Sequence, residues 1–502
     1  MRCVFVVPPV SAISTRIAIA PQLPLGHVLV GSELIRHGHQ VILLDSDAGN
    51  DSIARSLTRV RDLGPDCILV GHPASTIAHP AAMVFMNAVK EQLPHVPVIY
   101  GGPFATYNAF NLSRREHTPI DFIVCYEAEK VAAELVDCIA CSDDPHNVNG
   151  VVAVHTADKF SWGTTTRRAS IDVEAIPPLW DHSWDLSLYR AYGLQSVVIQ
   201  FSRGCPRTCA YCGQWHFWQN WRHRRVESFV REVDYLGRLG NRVFWMADEN
   251  CGTNQEVFIE LLEQLAKINR GYHIMVSLEP GHVIRDLDSY HLYKEAGISQ
   301  VMLGVDGQGE FTLGEPAKRF YARDLRRAIE KLQFLGIMVI INDFVPTNRL
   351  SCAQRCRYLK QFNADFYNCL HPTPLAGTRF ALVHGNTRFC ADLRKWDYRH
   401  PVIGSSRLNL LKQAWNAKRF EMRLNGASLF RQIVRRRWSV NPLARMANLL
   451  CIAVFLWEVV QLFGDTTSLV LSWMKYLWNS AIRRPAATDS PVQYRKTISM
   501  NH

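Results

Sequence analysis

An apolar strand signal, Val197-Val198-Ile199-Gln200-Phe201, runs directly into Ser202-Arg203-Gly204-Cys205-Pro206-Arg207-Thr208-Cys209-Ala210-Tyr211-Cys212-Gly213-Gln214. Three thiols at x3 and x2 spacing fit one tight loop. There each can ligate a different iron of a [4Fe–4S] cube, which leaves the fourth iron open to a small molecule. Gly204 and Pro206 suit a backbone curled closely around such a cluster. Structural zinc is the competing metal. It needs a fourth ligand, and His216 is nearby, but zinc sites usually draw their ligands from two separated knuckles. Cys205, Cys209 and Cys212 are therefore the expected metal ligands.

Around this loop the chain alternates strand and helix signals. From Ser196 onward, apolar runs at Val197–Phe201, Arg242–Met246, Ile274–Val276, Val301–Leu303, Met338–Ile341 and Asp365–Leu370 are separated by helical patterns. Six such units predict a partial (β/α)6 barrel with its chemistry at the strand ends. The first 140 residues alternate in the same way. Strand runs at Val4–Val7, Val41–Leu44, Cys67–Val70, Val98–Tyr100 and Phe122–Val124 interleave with helices at Val28–His37, Ile53–Leu63, Ala81–Leu93 and Ala128–Ile139. This predicts a doubly wound parallel sheet with ligands at the carboxyl ends of its strands. Residues 141–195, with Pro145 and Pro177-Pro178, read as a linker, so the expected division is 1–140, 141–195, 196–400 and 401–502.

Composition agrees with a globular α/β chain. The 502 residues are 48% hydrophobic and 20% charged, enough to bury sizeable cores and too apolar for disorder. Fourteen cysteines in this length are too sparse for a disulfide scaffold, and the apolar start, closed by Pro8-Pro9, is too short for a signal peptide. A reducing cytoplasmic compartment is expected. Charge is lopsided: residues 401–502 hold 15 Lys/Arg against 4 Asp/Glu, and the remainder balances at 41 against 41. Such asymmetry suggests an anionic partner surface.

The tail also carries two apolar stretches, Ala447–Phe463 and Ser468–Trp478, the first interrupted by Glu458 and Gln461. Behind Arg431 and Arg435-Arg436-Arg437 they suit either a helical cap on the barrel, the favoured expectation, or peripheral contact with the inner face of a membrane. Nucleic-acid binding is not expected, because the positive charge is mixed with apolar runs and no RNA-binding module is appended. Cys138 and Cys141, and Cys352 and Cys356, read as ordinary thiols. Trp215, Phe217, Trp218 and Trp221 follow the cysteine loop, as core or as a platform for a flat ligand.

At this point the chain resembles the radical S-adenosylmethionine superfamily. Leu23-Pro24-Leu25-Gly26, Gly38-His39-Gln40-Val41, Asp45, Gly101-Gly102-Pro103 and Asp121-Phe122-Ile123-Val124 are similar to the cobalamin-binding domain of one large branch. Within that branch, Gln200-Phe201-Ser202-Arg203-Gly204-Cys205, Cys212-Gly213-Gln214, Phe217-Trp218, Trp221-Arg222-His223-Arg224 and Ala247-Asp248-Glu249-Asn250 most resemble the anaerobic magnesium-protoporphyrin IX monomethyl ester oxidative cyclases.

The resemblance implies a [4Fe–4S] cluster that reductively cleaves S-adenosylmethionine to a 5′-deoxyadenosyl radical. It also implies a tetrapyrrole or other large apolar substrate, a reduced ferredoxin or flavodoxin as electron donor, and cobalamin as a candidate third cofactor. Tyr211 and Gly213 in the loop, Asp248 or Glu249 for the methionine ammonium, and Ser277 and Asp306 for polar groups of the cofactor complete the expected site. Pro372–Thr378 resembles the turn after the last barrel strand. A cobalamin-dependent radical methylase and a non-enzymatic cobalamin or porphyrin carrier are the alternatives.

The chain departs from the family at several points. Cys125-Tyr126-Glu127-Ala128-Glu129 stands where Gly-Glu-Gly-Glu is usual, so Tyr126 and Ala128 are expected to obstruct a close approach of the corrin. The Asp-x-His-x-x-Gly motif is absent, leaving His27, His72 and His79 as packing or surface residues. Glu279 stands where arginine is common, Asp306 where glutamate is common, and Val345-Pro346-Thr347 replaces a glycine-rich turn.

Overall fold

The computed structural model describes residues 1–10, 21–154 except 74 and 116, 170–305 except 183, 320–384 except 347 and 348, 390–434, 456, 459–468, 471 and 474. Met1–Val454 forms one compact unit and Phe455–His502 a second.

Six strands build the N-terminal sheet: β1 (Arg2–Val7), β2 (Gln40–Asp45), β3 (Cys67–Val70), β4 (Val98–Gly101), β5 (Phe122–Val124) and β6 (Val151–Ala153). Their order is β2-β1-β3-β4-β5-β6, the first five parallel and β6 antiparallel to β5. Helices cover both faces, so β1 and β3 are unbroken apolar runs rather than alternating ones. The helix at Ile53–Leu63 starts on Ser52, whose hydroxyl accepts from the Arg55 amide, and stops at Gly64 in the left-handed region. One helix, Pro103–Ser113, escapes the sequence reading. Gly101-Gly102-Pro103 looks like punctuation, yet Pro103 occupies the first helical turn, where its missing N–H costs nothing.

The described residues of the segment expected as a linker are packed against the rest of the unit. They supply β6, and Trp180, Trp184 and Tyr189 bury themselves in the main core. The Tyr189 hydroxyl donates to Asp45 at 2.8 Å, and the Leu179 amide donates to the Ser32 hydroxyl at 2.8 Å. Three large aromatics give this stretch enough apolar area to be held down despite its prolines.

A short hairpin, β7 (Arg190–Ala191) with β8 (Leu194–Ile199), opens the second sheet, followed by a small ladder of β9 (Ser202–Arg203) and β10 (Arg222–His223). Then come β11 (Val243–Met246), β12 (His273–Leu278), β13 (Ile298–Gly304), β14 (Met338–Phe344) and β15 (Phe366–Leu370). The order β15-β14-β13-β12-β11-β8-β7 is parallel throughout except for β7, and β15 does not close on β8, giving the expected partial barrel of six parallel strands.

Parity along the strands separates its two faces. Phe244, Ile274, Val276, Val301, Leu303, Val339 and Ile341 are fully buried beneath helices. On the other face Trp245, Ser277, Met302, Asn342 and Asn368 are only half-buried and line the concave side.

The helix Arg407–Val434 docks on β15, where the Asn425 side chain accepts from the Tyr367 amide at 2.8 Å and donates to its carbonyl at 2.9 Å. This part of the tail is thus a cap on the barrel. In the second unit the described residues are helical from 459 through 468, so Gly464 does not break the helix. Among the described residues no helix is long and apolar enough to cross a membrane.

Candidate iron–sulfur and cofactor site

The loop carrying the cysteines leaves the carboxyl end of β8 and is returned by β10, and its entry is narrow. Gly204 sits at φ +87°, and a Cβ there would lie 2.4 Å from the Asn220 carbonyl oxygen, so only glycine fits. A turn follows in which the Cys212 amide donates to the Cys209 carbonyl at 3.0 Å. Cys205, Cys209 and Cys212 are all half-buried and reduced. Burial above all, with smaller contributions from neighbouring thiols and Glu249, pushes the Cys205 thiol up to about 11 and the Cys212 thiol up to about 12. The three sulfurs therefore share one electrostatic neighbourhood.

Among the described residues no group of three His, Cys, Asp or Glu side chains is drawn together around one metal ion. A cube does not ask for that, because each thiolate binds its own iron. His216, the fourth ligand that zinc needs, turns its ring onto Tyr107, with centroids 5.9 Å apart and planes 24° apart. Three half-buried thiols at x3 and x2 spacing on one loop with a glycine entry have the donor chemistry that an iron–sulfur cube needs.

Carboxylates behind the loop divide their work. Asp248 is buried and committed to the chain itself: one oxygen accepts from the Ser202 amide and hydroxyl, both at 2.5 Å, and the other from the Phe201 amide at 3.1 Å. It braces the start of the cysteine loop, which the sequence reading did not anticipate. Burial raises it to about 6.

Glu249 accepts from the Gly204 amide at 3.3 Å, and burial pushes it to about 8. Of the two acids expected to meet an ammonium, it is the one facing the thiols, whose ionisation it opposes. Glu279, at the end of β12, receives Arg207 of the loop in a fork with bonds of 2.9–3.1 Å, and Asn250 at 3.1 Å. The sequence reading noted Glu279 as a departure without seeing its partner.

Tyr211 lies edge-on to Phe344 with centroids 4.7 Å apart, and Gly213 offers its carbonyl to the Tyr107 hydroxyl at 2.6 Å. Ser277 stands next to last in β12, on the concave face, at the strand end where it was expected. Asp306 and Thr347 lie outside the described residues. The turn after β15 touches the loop through the Phe380 amide, which donates to the Ala210 carbonyl at 2.9 Å.

Groups from the N-terminal sheet grip the same loop. Arg203 is only 2% exposed, and its guanidinium meets Glu129 at 2.5 Å and Glu127 at 3.7 Å while lying 4.8 Å over the Trp218 ring. Arg222 also pairs with Glu127. These glutamates are the two that survive in the altered Gly-Glu-Gly-Glu stretch. Phe217 is buried and the Trp221 indole donates to the Asn250 carbonyl, so the aromatic run serves as packing at this junction.

The carboxyl ends of β3, β4 and β5 form the second candidate surface. Gly102, at φ +97°, has nothing within 4 Å of a notional Cβ, leaving backbone open to a ligand. Tyr126 holds φ +62°, the region a glycine would favour, and its ring swings to within 5.9 Å of Phe217 and 6.3 Å of His216. A cavity of about 190 Å³ opens beside it, bounded by Lys130, Asp172, Phe217 and Gln219 among others.

The histidines are engaged elsewhere. His27 lies edge-on to Phe5, His72 is 3.4 Å from Asp47, and His79 bonds Tyr100 at 3.2 Å and stacks on Phe104. The surface fits a corrin that receives no axial histidine from these three residues.

Comparison with known proteins agrees with this geometry. The Radical SAM superfamily profile matches residues 199–349, and the B12-binding domain profile matches residues 21–136. The anaerobic magnesium-protoporphyrin IX monomethyl ester cyclase of Synechocystis is 33% identical over 414 residues, covering 81% of this chain and 82% of that protein. The hopanoid C-3 methylase of Methylococcus capsulatus is 26% identical over 412 residues, covering 80% and 76%. Among solved structures, the radical S-adenosylmethionine methyltransferase TsrM of Kitasatospora setae shares the fold at a TM-score of 0.61 and 16% identity, with 77% of each chain covered. Another structure of that enzyme holds cobalamin and a [4Fe–4S] cluster. The B12-binding and radical SAM halves seen in the sheets, with the extent of this similarity, place the chain in the radical S-adenosylmethionine superfamily, in the family of the anaerobic magnesium-protoporphyrin IX monomethyl ester cyclases.

Proposed function

We propose that this radical S-adenosylmethionine enzyme carries out an oxidative cyclisation on a tetrapyrrole. The carrying observation is the 33% identity to the Synechocystis cyclase over four-fifths of both chains, against 26% to the hopanoid methylase. When bound, a [4Fe–4S] cluster with S-adenosylmethionine supplies an electron that breaks the sulfonium C–S bond and yields a 5′-deoxyadenosyl radical.

The protein's part is to hold, orient and shield. Cys205, Cys209 and Cys212 hold the cluster, and Gly204 lets the loop close. Asp248 fixes the loop's first strand, and Glu249 faces the space where the methionine ammonium sits. The Arg203–Glu129 pair and the aromatic packing of Phe217 and Trp218 close the rear of the loop to water. Tyr211 and Ser277 are assigned to the adenosyl portion, and the concave face bearing Trp245, Met302, Asn342 and Asn368 to the macrocycle. Cobalamin, where used, is assigned to the open backbone at Gly101-Gly102, and a ferredoxin- or flavodoxin-type protein to electron delivery.

A methylase reading is favoured by the fold shared with TsrM. The two separate in one experiment. Protein reconstituted without oxygen is given dithionite, S-adenosylmethionine and magnesium-protoporphyrin IX monomethyl ester. The cyclase reading expects 5′-deoxyadenosine together with a fifth ring on the porphyrin; S-adenosylhomocysteine with an added methyl group replaces it by the methylase.

A further inference from the structure

The uncovered apolar stripe of the second unit is a feature that the site leaves unexplained. Leu456, Val460, Phe463, Leu471 and Met474 are 56–61% exposed, an unusual degree for five large apolar side chains on one short helical stretch. Their spacing, with exposed Thr467 between them, is 4, 3, 4, 4 and 3 residues. On a helical projection at about 100° per residue, this sequence spacing keeps all six positions within a sector of about 80°, over ~27 Å. Leu462, on the opposite side, is buried. The helix thus has one covered face and one apolar face turned to solvent.

Charge indicates what covers that face. Between residues 431 and 484 the sequence places Arg431, Arg435, Arg436, Arg437, Arg445, Lys475, Arg483 and Arg484 against only Glu458 and Asp465. A second copy of the chain would bring the same positive excess against itself, whereas an anionic bilayer surface complements it. No described helix is long and apolar enough to cross a membrane, which suits a helix lying in the interfacial plane. We propose that the Leu456–Met474 stripe, with its flanking arginines, docks the enzyme on an anionic lipid surface. This placement is independent of the substrate assignment.

Flotation of the full chain with vesicles tests it. The chain is expected to float with vesicles of phosphatidylcholine containing 30% phosphatidylglycerol. At least a tenfold smaller fraction should float with pure phosphatidylcholine, or with the anionic vesicles in 0.5 M salt. Val460→Asp with Leu471→Asp should cut the bound fraction at least tenfold while leaving circular dichroism and the melting midpoint unchanged. Equal flotation with neutral and anionic vesicles overturns the proposal whatever the variant does. So does a dimer that the two substitutions split, which would assign the stripe to a second copy, and so does retention on RNA with no vesicle binding.

Discussion

The cysteine loop and the cofactor face of the N-terminal sheet, one on each side of the same junction, have met sequence change differently. In the loop the identities are fixed by chemistry: three thiols, and a Gly204 whose replacement by any larger residue would put an atom 2.4 Å from a carbonyl. On the N-terminal face Tyr126 stands in a glycine-like conformation, His27, His72 and His79 meet Phe5, Asp47 and Tyr100, and the backbone at Gly102 is left open. A metal ligand cannot be approximated, whereas a cradle made of main chain tolerates a side chain that swings away. What joins the two regions is electrostatic, because Glu127 and Glu129 of the altered stretch hold Arg203 and Arg222 beside the loop.

The hardest test of this contrast is at the thiols. Replacing Cys209 by Ala should drop iron from about four per chain to background and abolish 5′-deoxyadenosine formation, because two thiolates do not hold a cube. Iron analysis and the visible spectrum after anaerobic reconstitution check it; a variant retaining full iron would show that the loop is not the cluster site.

Next in size is the joint between the regions. Arg203→Leu strands the buried Glu129 carboxylate and should cost about 3–5 kcal/mol in chemical denaturation. A cost below 1 kcal/mol would mean that the two regions are coupled by something else.

The two regions should also titrate in opposite senses. Glu249 is raised from 4.5 to about 8, so between these values the folded chain keeps a proton that the unfolded chain releases, and stability falls as pH rises. His79, lowered from 6.5 to about 4 by burial, acts the other way, since the unfolded chain takes up a proton that the folded chain lacks, and stability rises with pH over that window. Urea midpoints of cluster-free protein from pH 4.5 to 8 should show a shallower alkaline decline in Glu249→Gln and a shallower acidic decline in His79→Gln. Unchanged profiles would rule out these two groups as the cause.

The smallest effect is expected at Tyr126. Its left-handed backbone costs about 1–2 kcal/mol, but its ring contacts return about 0.5–1.5 kcal/mol, so Tyr126→Gly should change stability by no more than about 1.5 kcal/mol. Opening the face should nonetheless tighten hydroxocobalamin binding several-fold in an absorbance titration. Weaker binding would make the tyrosine part of the cradle.

The sheets were legible in the sequence because a strand buried on both faces is a short apolar run, and runs such as Cys67–Val70 and Val98–Tyr100 end at glycines. The packing of Trp180 and Trp184 was not legible in the stretch 141–195, because their burial is decided by a distant surface. Asp248 and Glu249, adjacent in sequence and chemically alike, were legible only as a pair. Their separate roles depend on which strand each carboxylate meets, and that is a contact some 45 residues away.

Residue type and close spacing alone were enough to single out the three-cysteine loop, the two α/β halves and the basic, apolar tail, because thiol spacing and apolar periodicity are local properties. Folding alone decided that Arg203 closes on Glu129, that Arg207 answers Glu279, and that Tyr126 leans away from its own strand end. Those depend on side chains meeting across the junction of two sheets, where direction and desolvation, rather than identity, set what each group does.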